Sequence, residues 1–133
     1  LIHLTKKLGI NDAVVFTGYI SDQEMGSLIK NSKCLCYPSI IEGFGFPVLE
    51  AFSLGIPVVA SDTSSIPEIA GKAAILINPK NTKQIADAII KVLSDIQLHK
   101  KLEISGLKRV KKFSWRKSAN QYLALYKQVL EGN

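Results

Sequence analysis

SIIEGFGFPVLEAFSLGIPVVAS, residues 39–61, decides the fold. Gly43 and Gly45 flank Phe44 in a loop, and Pro47 follows where a first helical position favours proline. The helix VLEAFSLG then stops at Gly55. IPVVAS, 56–61, is an apolar run of the kind that forms a strand buried on both faces. A loop, a helix and a buried strand in this order make one crossover of a parallel α/β sheet.

Working outward, KCLCYPS (33–39) reads as the strand before the loop and AAILINP (73–79), closed by Pro79, as the strand after. VVFTG (14–18) is a further short β-branched run, so about four strands are expected. Between them lie a helix tail ending at Gly9, a capping box at Ser21–Glu24 opening a helix to about Asn31, and a short helix ending at Gly71. From Asn81 the period changes: Ile85, Ile89 and Val92 recur at helical spacing. A second helix is expected over about 97–112, and a last one with Ala119, Tyr122, Leu123, Tyr126 and Val129 on one face. The expectation is one Rossmann-like domain over 1–133, its part 81–133 wholly helical.

Ligands of such sheets bind beyond the strand C-termini. Those ends are Gly18–Tyr19, Ser39–Phe46, Ser61–Ser65 and Asn78–Pro79, where the polar and glycine residues gather. Glycines admit close backbone approach, and a helix start offers N–H groups to an anion. Because Pro47 lacks one, Val48 and Leu49 are the expected donors. Glu42 before the turn and Glu50 one helical turn in can each accept charge-assisted bonds from hydroxyls. A purely structural account also fits: such turns are common in α/β folds, and an acidic residue near a helix start complements its dipole.

Glu42 and Glu50 in EGFGFPVLE resemble the E-x7-E motif of family 4 (group 1) retaining glycosyltransferases of the GT-B fold. VVFTGYIS (14–21), CLCYPSIIEGFGFPVLEAFSLGIPVVAS (34–61), SSIPEIAGKAAILINP (64–79) and the FSW before the last helix resemble the family in the same order. The resemblance implies half of a two-domain enzyme that moves a sugar from a nucleotide-sugar to an acceptor hydroxyl with retention. It implies that Glu42, the expected catalytic-site carboxylate, meets the donor sugar. Gly43, Phe44, Gly45 and Phe46 would line that sugar and the distal phosphate. Backbone near Pro47 and Val48 would meet the diphosphate, Glu50 the ribose, and Tyr19 and Ile20 the nucleobase.

The family opens this domain with a strand ending in Gly-Arg, a following Lys and a second strand ending in Gly-x-Gly. None of these is found here, nor is an acceptor domain. The expectation is a domain truncated at its N-terminal end and inactive alone. In the family sheet order 3-2-1-4-5-6, the first two strands are the missing ones, so VVFTG would lack its neighbours, leaving open edges and a tendency to self-associate. His3 and His99 match no family position, and no Asp-x-Asp cluster is present, so neither metal nor other cofactor is expected. Paired-carboxylate hydrolysis is disfavoured because Glu50 is assigned to ribose.

The net charge of +6 is uneven: residues 1–80 carry −1 and residues 81–133 carry +7. Lys108, Arg109, Lys111, Lys112, Arg116 and Lys117 surround Phe113 and Trp115. Two further readings follow: a non-catalytic nucleotide-sugar-binding module, and a basic module contacting an anionic membrane surface. No nucleic-acid motif is present. The acceptor, whether glycan, lipid-linked or small molecule, is assigned to the other domain. Cys34 and Cys36 lack a second ligand pair and read as small buried hydrophobes. Reduced thiols and the lack of a signal-peptide pattern point to the cytoplasm.

Overall fold

The computed structural model describes residues 1–132. Seven α-helices and three strands follow in the order α1 (Ile2–Lys7), α2 (Asp22–Lys30), β1 (Leu35–Tyr37), α3 (Phe46–Ser53), β2 (Val58–Ser61), α4 (Ile66–Ala70), β3 (Ile75–Ile77), α5 (Thr82–Ser94), α6 (Ile96–Val110) and α7 (Trp115–Glu131). The strands pair in parallel in the order β1-β2-β3, with Leu35 opposite Val58 and Val59 opposite Ile75.

Every residue of the central strand β2 is buried, as its unbroken apolar run requires. One side of the sheet packs on Val48, Ala51 and Phe52 of α3 and Ile66, Ile69 and Ala70 of α4. The other packs on Ala88 and Val92 of α5 and Leu102 of α6. Gly106 lets α6 close onto α3, since a Cβ there would stand 2.6 Å from Phe52 Cδ1. Four helix starts are fixed by their own side chains, α7 by Ser114, which accepts from the Lys117 N–H. Ser21 and Glu24 form the reciprocal capping box of α2, Asn81 accepts from the Gln84 N–H, and Asp95 accepts from the Leu98 N–H.

The sheet has three strands rather than the four expected, because Val14–Gly18 does not join it. Val14 has extended dihedrals (φ −121°, ψ 122°), but β1 is an edge strand with no neighbour on its outer side. Extended backbone becomes a strand only when a ladder pairs its N–H and C=O groups. In the family order two strands stand between VVFTG and KCLCYPS, and the chain supplies neither among the described residues. Val15 is consequently 84% exposed.

Candidate functional site

The loop between β1 and α3 crosses the C-terminal end of the sheet and is held from the side by the loop after β2. Thr63 Oγ1 donates to the Ile40 carbonyl at 3.1 Å. Ser64 Oγ donates to the Glu42 carbonyl at 2.7 Å and accepts from the Glu42 N–H at 3.2 Å. Ser65 Oγ lies 3.1 Å from the Glu42 carbonyl and 2.9 Å from that of Phe44. Three consecutive hydroxyls therefore fix Ile40, Glu42 and Phe44. Ser64 does so at φ +58°, the only positive value at a non-glycine residue among those described. Such backbone costs about 1–3 kcal/mol and persists where its surroundings hold it.

The Tyr37 hydroxyl, at the end of β1, donates to Glu42 Oε1. This bond and one from the Ser39 hydroxyl hold the Glu42 carboxyl below the usual carboxylate range. Desolvation, then the Glu42 hydrogen bond and the negative charges of Glu42 and Glu50, push the Tyr37 phenol up to about 12. Both carboxylates thus act on one phenol, Glu42 through a hydrogen bond and Glu50 through its charge alone.

The glycines of the loop differ. Gly45 is the N-cap of α3 at φ +104°, and a Cβ there would stand 2.5 Å from Ile66 Cδ1. The fold demands this glycine twice over. A Cβ at Gly43 would meet nothing within 4 Å. Packing gives no reason for glycine at Gly43, whose Cβ direction is open.

One expected donor is corrected. Val48 is 0% exposed and its N–H donates to the Gly45 carbonyl at 3.1 Å. The left-handed turn at Gly45 points its carbonyl back at the helix, so Val48 is not open to an anion. Phe46, the first residue of α3, is exposed, as are Gly43 and Phe44. The exposed backbone of this turn thus precedes Pro47 instead of following it.

Glu50 stands on the wall of a cavity of ≈ 590 Å³ shared with Phe44, Phe46, Trp115 and Tyr122. Phe46 stacks on Trp115 with centroids 5.9 Å apart, and Phe44 meets Phe46 at 4.8 Å. Tyr19 and Ile20 are not brought to this cavity. Ile20 lines a separate one with Gln23, Ser27 and Leu28, and Tyr19 is 99% exposed. With Val14–Gly18 outside the sheet, nothing draws the residues after it toward the strand ends. Tyr37 and the Thr63–Ser65 hydroxyls went unassigned in the sequence. The signal for the hydroxyls was their position at a strand C-terminus, and that for Tyr37 was its spacing from Glu42.

Other side chains find structural roles. His99 Nδ1 lies 3.1 Å from the Val92 carbonyl, and its Nε2 lies 3.4 Å from Glu103. Cys34 and Cys36 are free and half-buried, and burial pushes both thiols up. Arg109, half-buried, turns from the basic cluster toward α4: it donates to the Ile69 and Glu68 carbonyls and covers the Phe113 ring at 5.2 Å. No ion pair engages Lys108, Lys111, Lys112, Arg116 or Lys117 among the described residues.

A parallel sheet with a carboxylate-bearing glycine loop at its C-terminal edge defines the Rossmann-like half of a GT-B glycosyltransferase. The chain belongs to the family "Glycosyl transferases group 1", whose model matches residues 1–109. It is 36% identical over 112 residues to an O-antigen chain mannosyltransferase B from Escherichia coli, covering 84% of this chain and 29% of that protein. It is 32% identical over 131 residues to an MMP alpha-(1->4)-mannosyltransferase from Mycolicibacterium hassiacum, covering 96% of this chain and 32% of that one. Among solved structures it superposes on a sucrose-phosphate synthase from Thermosynechococcus elongatus with TM-score 0.87 and 28% identity, over 98% of this chain and 34% of that one. It also matches the C-terminal domain of a group 1 family protein from Francisella tularensis, with TM-score 0.74 and 30% identity over 83% of this chain and 58% of that one. The chain thus spans about a third of the curated relatives' length.

Proposed function

We propose that this chain is the donor-binding half of a retaining hexosyltransferase, taking a nucleotide-sugar and working with an acceptor domain supplied by the rest of such proteins. The observation that carries the reading is Tyr37, whose phenol is bonded to Glu42 and feels the charge of Glu50. It supports a reading in which Glu42 and Glu50 serve one glycine loop at the sheet's C-terminal edge. Glu42 accepts from hydroxyls of the donor sugar, with Gly43 leaving room for the ring. Phe44, Gly45, Phe46 and Pro47 line the path of the diphosphate, whose charge is met by exposed loop amides and basic side chains without a metal. Glu50 takes the ribose hydroxyls. The resemblance to mannosyltransferases favours a mannose-bearing donor.

Titration calorimetry with GDP and UDP on wild type and Glu50→Ala tests this. Glu50→Ala is expected to weaken nucleoside-diphosphate binding about tenfold, the loss of one charge-assisted bond. Equal affinity in both proteins would remove the ribose from Glu50.

A second reading concerns location. Trp115 is 79% exposed and stands among five cations that form no ion pair among the described residues, a composition that suits an anionic membrane surface. Cytoplasmic residence at such a surface, and self-association through the uncovered edge of β1, belong to the same proposal. Flotation with and without anionic lipid checks the first, and light scattering the second.

A further inference from the structure

We infer that the hydroxyls of Thr63, Ser64 and Ser65 are positioning groups that set Glu42 for its sugar partner, with Ser64 the central one. The inference rests on the donor-binding reading for what Glu42 touches, but not for the clamp itself.

Glu42 is half-buried and belongs to neither core cluster. It sits in a loop of half-buried and exposed residues, and the Cβ direction at neighbouring Gly43 is open. What fixes its backbone is Ser64, which bonds to both its N–H and its carbonyl across 22 residues of sequence. Ser65 shares its hydroxyl between the carbonyls on either side of Gly43, and Thr63 ties down Ile40. The side-chain carboxylate is held separately, by Tyr37. The loop after β2 thus holds the backbone of Glu42, and β1 holds its carboxylate. The φ of +58° at Ser64 is informative. That conformation suits glycine better than serine, and glycine cannot supply the hydroxyl. The hydroxyl is therefore the feature that the site uses.

Ser64→Gly, Ser64→Ala and Ser65→Ala separate the roles. Glycine removes the hydroxyl and relieves the backbone, whereas alanine removes the hydroxyl alone. Two readouts apply. The first is the Tyr37 titration, followed by NMR of ¹³C-labelled tyrosine with Tyr37→Phe assigning the resonance. It is expected to move down from about 12 in both Ser64 variants, because the Glu42 hydrogen bond that helps raise it is loosened. The second is calorimetry with GDP-mannose and UDP-glucose, each against its own nucleoside diphosphate. Sugar-donor affinity is expected to fall about five- to tenfold, the weight of one or two hydrogen bonds, with nucleoside-diphosphate affinity within twofold. An unchanged Tyr37 titration in folded Ser64→Gly would overturn the clamp. Equal loss of donor and nucleoside diphosphate would overturn its assignment to the sugar side. If wild type binds neither donor, the donor-binding reading and the sugar-side assignment fall together, while the titration still decides the clamp.

Discussion

The body of the molecule, residues 35–110, and its flanks share the same sequence grammar and differ in what they bury. Helix α2 has a complete capping box, and α7 is long, amphipathic and capped by Ser114. Yet α1 and α7 bury no residue, and α2 buries only Ile29. In the body, α3 alone buries Val48, Leu49, Ala51 and Phe52. Caps and periodicity make helices, but tertiary burial decides which of them carry stability. The candidate site lies on the body's rim, where the C-terminal end of the sheet meets loops held by hydroxyls.

The contrast is broken most severely inside the body. Phe52 is 0% exposed and packs between the sheet and Gly106. Phe52→Ala is expected to cost about 3–5 kcal/mol in urea unfolding. Gly106→Ala, forcing a methyl against the same ring, should cost about 1–3 kcal/mol. A smaller loss than 1 kcal/mol in both would mean that α3 and α6 do not share a core.

Next come the two loop glycines. Gly45→Ala is expected to destabilise by about 1–3 kcal/mol from backbone alone, with the Ile66 clash added. Gly43→Ala should stay within about 0.5 kcal/mol in thermal unfolding. If Gly43 serves a ligand, the same variant weakens donor binding in calorimetry while leaving stability intact. Matching stability losses would merge the two glycines into one structural role.

Tyr37 sharpens the comparison at the rim through pH. Its folded value, about 12, lies above the ordinary 10.0, so the folded state favours the neutral phenol. That stability is complete below 10 and is lost as pH rises toward 12. Wild type should lose stability over this window more steeply than Tyr37→Phe. Glu42 has the opposite sign: its folded carboxyl is lowered, so its contribution is present above the ordinary carboxylate range and lost as pH falls below it. Parallel alkaline curves for wild type and Tyr37→Phe would detach Tyr37 from Glu42.

Much of the body was legible because its signals are local. Pro47 and Gly55 bound a helix, an unbroken IPVVAS is a doubly covered strand, and Asn81 opens a capped helix. VVFTG misled because strand character is a property of a pair, and its pairing partners are not encoded in its own residues. The Val48 amide was misplaced because the φ of Gly45 decides where the helix begins, and spacing alone does not reveal it. The hydroxyl clamp joins residues 21 to 23 apart, beyond any local pattern.

The smallest effects belong to the flanks, where the comparison makes its least intuitive demand. Tyr126 and Val129 repeat on one face of α7 as core residues would, yet both are about 60% exposed. Exposed apolar side chains recover little transfer free energy, since folding removes little of their area from water. Tyr126→Ala and Val129→Ala should each change stability by less than about 0.5 kcal/mol. Amide exchange should be faster along α7 than in β2, because the local opening of α7 breaks few buried contacts. A loss above 2 kcal/mol from either substitution would require a surface that covers α7 in solution. Loss of that extra stability on dilution would identify the cover as a second copy of this chain, because self-association responds to protein concentration and intramolecular packing does not.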